Sequence, residues 1–407
     1  MDIRNIFSKQ ITEKPKNMTT AGGKEKTEKN PDKKPADLNN IPNGYYSQIE
    51  VGKISRIGDE NYPKHTRNNY QGCLLGGAIG DALGWPIEFA SIENIKSRYG
   101  KNGICDFDKR SKEKAEITDD TQMTIFTADG LLKSALKEFD ENKAPDMDFV
   151  LDSYYDWLDT QNRGFKPKDK GWISNIPDLY ASRAPGGTCL SALHSGKKGS
   201  MEKPLNNSKG CGGVMRVAPA GLMYYKNPEI AFETAAKCAA LTHGHKDGYL
   251  SAGVQGAIIA NLVQGKSIEE SVNNSIEILK EYEGGKDTLN LLERAKELAN
   301  SDIDSQEAIK QLGGGWVGDE AIAISVYCAL KSPEDFEKAV LMSVNHSGDS
   351  DSTGAITGNI MGAYLGADKI PSKWKENVEL SSELIRLAED LYRSPEEIEN
   401  KEERYKI

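Results

Sequence analysis

Two short segments carry more acid than a helix end requires. Thr118-Asp119-Asp120-Thr121 and Asp349-Ser350-Asp351-Ser352-Thr353 each stand at the front of an apolar helical pattern. A single Ser, Thr or Asp there is an ordinary N-cap, and acidic groups suit the positive end of a helix. One cap per helix is enough, so the additional acids call for another role. Adjacent carboxylates repel, and that repulsion is tolerated best where a cation lies between them. The donors are carboxylates and hydroxyls, with no Cys or His in either segment. Such a hard-oxygen set selects Mg²⁺, Mn²⁺ or Ca²⁺ over Zn²⁺. The second segment opens like an EF-hand loop, with Asp349, Asp351 and Thr353 at positions one, three and five and Gly354 at six. Ile360 then stands where the bidentate Glu belongs, so that reading fails. If the two segments converge, they form a binuclear centre with ions about 3.5–4 Å apart.

Other residues surround this chemistry. Glu88 follows Pro86 closely and sits between Ile87 and Phe89. A carboxylate in that apolar setting must be paired, metal-bound or raised in pKa, which makes it a candidate general base or metal ligand. The preceding Gly76 and Gly77 read as close helix packing. In Gly210-Cys211-Gly212-Gly213-Val214-Met215-Arg216 the glycines would let backbone amides approach a phosphate, although no Walker pattern is present. Arg216 could pair a carboxylate in the core or reach a ligand, and the structural role is favoured. His243, in Leu241-Thr242-His243, ends one helix, where an imidazole suits the dipole. Trp316 stands in the run Gly313-Gly314-Gly315-Trp316, free either to stack on a base or to cover the core.

The elements that must position these residues are helices. Ile125, Ala128, Leu132, Ala135, Leu136 and Phe139 share one helical face. Segments 231–241, 249–263, 289–298, 320–330, 336–344, 353–365 and 380–391 have the same periodicity. No alternating strand set and no fixed-period repeat is visible, so the expected fold is a compact multi-helix, all-α domain over residues 70–395. Residues 1–44 are rich in Lys, Asn, Thr and Pro and read as a disordered polar extension. Residues 45–69, with Tyr45, Tyr46, Ile49, Val51, Ile54, Ile57 and Tyr62, read as an N-terminal arm. Residues 396–407 read as a charged tail that frays.

Composition narrows the function classes. The 407 residues hold 52 Lys plus Arg against 62 Asp plus Glu, a formal net charge of −10. An acidic chain is poorly suited to non-specific nucleic-acid binding, which needs excess cations. No apolar run is long enough to span a membrane, and the first thirty residues lack a secretory core, so a cytoplasmic location is expected. The 6 cysteines form no C-x-x-C pair and read as reduced thiols.

In this order along the chain, the motifs resemble the ADP-ribosylglycohydrolase family, which includes the dinitrogenase-reductase-activating glycohydrolases. The resemblance runs from about Gln71 to Ala367. It covers Gly-Asp-Ala-Leu-Gly with Glu88, the segment 118–121, Arg-Ala-Pro-Gly-Gly-Thr at 183–188, Gly-Gly-Val-Met-Arg at 212–216, Leu-Thr-His at 241–243 and Gly-Asp-Ser-Asp-Ser at 348–352. It implies an all-α fold and a cleft with two Mg²⁺ or Mn²⁺. It also implies hydrolysis of the bond between a terminal ribose and a modified protein side chain, commonly arginine. By motif position, Thr118, Asp119, Asp120 and Asp351 would hold one ion and Asp349, Asp351 and Ser352 the other. Glu88, Asp119 and Asp351 would form the catalytic set. Gly212, Gly213, Val214 and Met215 would carry the pyrophosphate, His243 would line the same pocket, and Trp316 joins this ligand-binding set. The family usually has Thr where this chain has Ser352; serine keeps the hydroxyl. An alternative use of the fold is an immunity protein whose N-terminal arm binds a cognate ADP-ribosyltransferase.

Overall fold

The computed structural model describes residues 62–407 other than 111, 163 and 167. The polar extension and most of the expected arm, residues 1–61, lie outside the described residues. Among those described there is no strand beyond two isolated bridges, Ala115 with Val378 and Gly210 with Val317. The regular elements are helices: α1 (Arg67–Gly84), α2 (Ile92–Tyr99), α3 (Asp119–Lys137), α4 (Met147–Asn162), α5 (Gly187–His194) and α6 (Ala218–Met223). Then come α7 (Pro228–Ala240), α8 (Lys246–Val263), α9 (Ile268–Lys280), α10 (Lys286–Ala299), α11 (Ser305–Leu312) and α12 (Gly318–Lys331). The chain closes with α13 (Phe336–Val344), α14 (Ser350–Leu365), α15 (Ser372–Asn377), α16 (Ser381–Tyr392) and α17 (Lys401–Tyr405).

Two kinds of helix build this body. The outer ones bury a single stripe; α9, for example, buries Ile268, Val272, Ile276 and Leu279 and turns its acids and amides outward. The inner ones, α1, α3, α8, α12 and α14, are buried almost all round. Each expected helical segment falls in a helix, although Phe139 lies past the end of α3 and is exposed.

The central contact is α1 against α14. α1 carries Gly72, Gly76, Gly80 and Gly84, one per turn, and α14 carries Gly354, Gly358 and Gly362. A Cβ at Gly72 would strike the Gly362 carbonyl, one at Gly76 the Gly358 carbonyl, and one at Gly80 the Gly354 carbonyl. The two backbones therefore run antiparallel in direct contact, as only small residues allow. Gly77 packs on Asn359, so the packing role read for Gly76 and Gly77 is what the structure shows. Asn359 Nδ2 donates to the Cys73 carbonyl at 2.8 Å, and Asn69 Nδ2 donates to the Ala363 carbonyl at 2.8 Å. This antiparallel seam places the C-terminal end of α1, with Glu88 just beyond, beside the N-terminal end of α14.

The C-terminal stretch departs from expectation. It does not fray but docks through α17. Tyr405 is fully buried and its hydroxyl donates to Asp390 Oδ2 at 2.5 Å. Arg404 pairs with the same oxygen at 2.6 Å. One aromatic anchor and one buried ion pair outweigh the polarity of the neighbouring residues.

Candidate active site

Three helix ends meet at the head of the seam, and Asp81 on α1 organises them. Its fully buried carboxylate accepts the Thr118 N–H at 3.0 Å, the Thr121 N–H at 3.2 Å and the Thr121 hydroxyl at 2.5 Å. These bonds fix the start of α3. Thr118 is its N-cap, with Oγ1 accepting the Asp120 N–H at 3.3 Å. Asp119 and Asp120 follow in the first turn. The Asp119 N–H donates to the Arg183 carbonyl at 2.9 Å, and Asp119 Oδ2 accepts the Gly186 N–H at 3.0 Å. The 183–188 segment thus braces Asp119 through its backbone. Arg183 itself pairs with Glu116 and Glu379, each at 2.9 Å.

At the start of α14, Asp349 is the N-cap, with Oδ1 accepting the Ser352 N–H at 3.2 Å. Asp351 lies in the first turn. Glu88, Asp349 and Asp351 each present an oxygen, all within 4.8 Å of one another. The charge of Asp349 acts on both Asp119 and Asp120, and that of Asp120 acts on Asp351. The two acidic segments, distant in sequence, therefore meet in space with Glu88 between them. The capping role and the clustering hold together: Thr118 and Asp349 cap, and the other acids crowd the shared space.

Crowding and burial set the electrostatics. Glu88 is pushed up to about 8, first by burial and then by the charges of Asp349 and Asp119. Burial likewise raises Asp119 to about 8 against the bond from Gly186. Asp120 and Asp351 are held well above the usual carboxylate range by burial and by the surrounding acids. Asp81, stabilised by its four donated bonds, rises only to about 6. Two oxygens in the cluster, Asp120 Oδ1 and Glu88 Oε2, are buried with no hydrogen-bond partner.

The glycine-rich loop borders this cluster. Cys211–Gly213 form one 3₁₀ turn. Gly212 is half-buried, while Gly213, Val214 and Met215 are buried. His243 does not line an open pocket. It is buried behind the loop, where a Cβ on Gly212 would meet its ring at 3.1 Å. Its Nδ1 bonds the Thr242 hydroxyl at 2.9 Å, and burial together with Arg216 pushes its pKa down to about 3. Arg216 is fully buried without a carboxylate partner among the described residues. It donates to Thr242 Oγ1 at 2.8 Å, the Cys238 carbonyl at 3.2 Å and Cys189 Sγ at 3.2 Å, and lies over the Tyr154 ring. Trp316 does not cover the core. It is 40% exposed and stacks on Phe89, which is 74% exposed, with centroids 4.9 Å apart and planes at 20°.

Four residues of this site had no role in the sequence reading. Asp81 was visible as a lone acid inside an apolar helical stretch. Gly186 acts through its N–H, and Phe89 adopts φ 64°, neither of which side-chain type reveals. Cys211 places a thiol against the acids, with Sγ 2.8 Å from Asp349 Oδ2.

Comparison with known proteins agrees with this architecture. The ADP-ribosylglycohydrolase family model matches residues 63–400. The chain belongs to the ADP-ribosylglycohydrolase family. Among its relatives is ADP-ribosylhydrolase ARH3 of Mus musculus, 25% identical over 80% of this chain and 91% of that protein. An uncharacterised protein of Archaeoglobus fulgidus is 30% identical over 79% of this chain and 95% of its own length. A solved structure described as an ADP-ribosylglycohydrolase-related protein complex shares the fold, with TM-score 0.50 and 22% identity over 81% of this chain and 98% of that one. Family membership supports hydrolysis of ADP-ribose linkages on a modified substrate. No helix among the described residues is long and apolar enough to cross a membrane.

Proposed function

We propose that the protein removes ADP-ribose from modified arginine side chains of proteins, with two Mg²⁺ or Mn²⁺ held in the acidic cluster. The observation that carries this reading is the group Glu88, Asp349 and Asp351, with oxygens within 4.8 Å of one another, and the charge of Asp349 acting on Asp119 and Asp120. Among the described residues none of the five has a Lys or Arg ion pair, and two of their buried oxygens are orphaned. Buried charge without a partner is strongly unfavourable, and an all-oxygen donor set fits a hard divalent cation. Thr118, Asp119, Asp120 and Asp351 would hold one ion, and Asp349, Asp351 and Ser352 the other. Such ions, when bound, supply charge stabilisation at the ribose and make a nearby water more acidic.

The remaining work falls to the chain. Glu88, within 4.8 Å of Asp349 and Asp351, is placed to orient the attacking water and to take its proton. Asp119 and Asp351 stand with it in the catalytic set. The backbone of Gly212 and Gly213 is offered to the pyrophosphate, with Val214, Met215 and His243 packed beneath as support. The exposed face of Trp316 suits a planar base. The choice of arginine rests on the resemblance of the motif set to glycohydrolases that commonly act on that side chain. The test is release of ADP-ribose from ADP-ribosyl-arginine and ADP-ribosyl-serine peptides, in chelator and with Mg²⁺ or Mn²⁺ restored. Cleavage of the arginine peptide that chelator stops and metal restores is expected. Cleavage of the serine peptide alone would overturn the linkage, and undiminished cleavage in chelator would overturn the metal centre.

A further inference from the structure

The oxygen-only character of the acidic cluster has one exception, and sequence order hides it. Cys211 comes from the glycine turn, far along the chain from both acidic segments. Its Sγ nevertheless lies 2.8 Å from Asp349 Oδ2 and 3.6 Å from Ser352 Oγ. The same cluster contains Asp120 Oδ1, buried and without a partner on a side chain only 3% exposed. The thiol therefore borders a buried acidic cluster with an unpartnered carboxylate oxygen. Four other cysteines, Cys73, Cys189, Cys238 and Cys328, are buried elsewhere, and Cys105 is exposed.

We propose that Cys211 makes this centre sulfur-capable, so that it takes up a thiophilic divalent ion, Zn²⁺ or Cd²⁺, through Cys211 Sγ and Asp349. The inference rests on the acidic cluster being a metal centre. On uptake the thiol releases its proton to solvent and a sulfur lone pair forms the bond to the ion; nothing is oxidised or reduced. Thiolate sulfur favours zinc-like ions, whereas carboxylates and hydroxyls alone favour Mg²⁺ and Mn²⁺. The present separation is that of a hydrogen bond. Two ligands of one tetrahedral ion stand roughly 3.6 Å apart, from Zn–S of about 2.3 Å and Zn–O of about 2.1 Å. The opening required is under about 1 Å, and glycines at 210, 212 and 213 flank the cysteine that must move. A soft ion held there occupies the position of an oxygen-preferring one and excludes it.

The test uses the full chain carrying Cys105→Ser, stripped of metal, so that the exposed thiol does not contribute. CdCl₂ is titrated while the sulfur-to-cadmium charge-transfer absorption and the heat of binding are recorded. The expected result is a band that saturates at one Cd²⁺ per chain. Adding Cys211→Ser is expected to abolish the band and weaken Cd²⁺ binding at least about tenfold, a loss of about 1.4 kcal/mol. Mn²⁺ binding, followed by electron paramagnetic resonance, should change less than about threefold, since a hydroxyl replaces the thiol beside an intact carboxylate set. No band in the Cys105→Ser protein overturns the proposal without any variant at 211. Unchanged Cd²⁺ affinity in Cys211→Ser also overturns it. The metal-centre reading fails separately, if Asp351→Asn binds Mn²⁺ as tightly as the parent.

Discussion

Asp129 and Asp390 are as deeply buried as the acids at the head of α14, but each has a cation against it. Lys133 meets Asp129 Oδ2 at 2.6 Å, and Ser153 donates to the same oxygen at 2.7 Å. Arg404 and the Tyr405 hydroxyl both reach Asp390 Oδ2. Among the described residues no Lys or Arg forms an ion pair with Glu88, Asp119, Asp120, Asp349 or Asp351. The first two acids hold helices in place within the chain itself. The second group is close and mutually repelling, and the proposed metal centre would supply the counter-charge that the described residues do not. Burial alone does not mark a functional carboxylate; burial without a counter-charge does.

The comparison breaks most severely at Asp351, which the reading places on both ions. Asp351→Asn is expected to reduce hydrolysis to background. In chelator the same variant should be more stable than the parent by about 1–3 kcal/mol, because one of several repelling carboxylates is gone. Activity and chelated thermal melts measure the two effects. Glu88→Gln keeps the shape and removes the exchangeable proton. A rate loss of about 10²–10⁴-fold is expected, with Mn²⁺ affinity less affected. Turnover at the parental rate would remove Glu88 from the chemistry.

Moving a structural acid into the state of the site acids tests the contrast from the other side. Lys133→Met leaves Asp129 buried without its cation. Stability should fall by about 3 kcal/mol in denaturant titrations, while kcat/KM of the folded protein is unchanged. An equal loss of activity would tie Asp129 to the site.

pH supplies a further test. In the folded, metal-free chain Glu88 and Asp119 keep their protons up to about pH 8. Unfolded, they release them near pH 4. The folded chain then binds more protons than the unfolded one between about pH 4 and pH 8, so its stability falls as pH rises through that window. The loss accumulates across the whole window. Mg²⁺ or Mn²⁺ should restore most of it at pH 8 and little at pH 5. A chelated melting temperature that is level from pH 5 to pH 8 would contradict the crowding.

Much of this was legible in the amino-acid order, and the gaps have definite causes. The outer helices announce themselves through one-sided periodicity, and the acidic segments through an excess over capping needs. The α1–α14 seam was less legible. Glycines at 72, 76, 80 and 84 and at 354, 358 and 362 are each suggestive, but sequence does not say that the two sets face one another. Cys211 escaped for the same reason: it approaches Asp349 across a sequence separation of 138. His243 was legible as a residue next to the glycine loop but not as one packed behind it. The tail misled because composition averages over residues, whereas Tyr405 and the Arg404–Asp390 pair decide its docking.

The smallest expected effect concerns the rim, where Glu88 is followed by a strained residue. Phe89 holds φ 64° although it is not glycine, which costs about 1–2 kcal/mol. Its ring is largely exposed, so the hydrophobic core does not hold it there. The stack on Trp316 is the visible compensation, and such pairs contribute about 0.5–1.5 kcal/mol. Strain and stack are thus of similar size, and the direction of Glu88 depends on their balance. Trp316→Ala removes the stack and leaves the strain, so the segment relaxes. A fall in kcat/KM of at most about tenfold is expected, because 1.4 kcal/mol is one factor of ten. Phe89→Gly removes ring and strain together and should retain more kcat than Phe89→Ala, which keeps the unfavourable backbone and loses the ring. If Trp316 serves only as a stacking face for the ligand, its loss raises KM and leaves kcat unchanged, and the two Phe89 variants have equal kcat. If the pair also aims Glu88, kcat falls in Trp316→Ala and the two Phe89 variants separate.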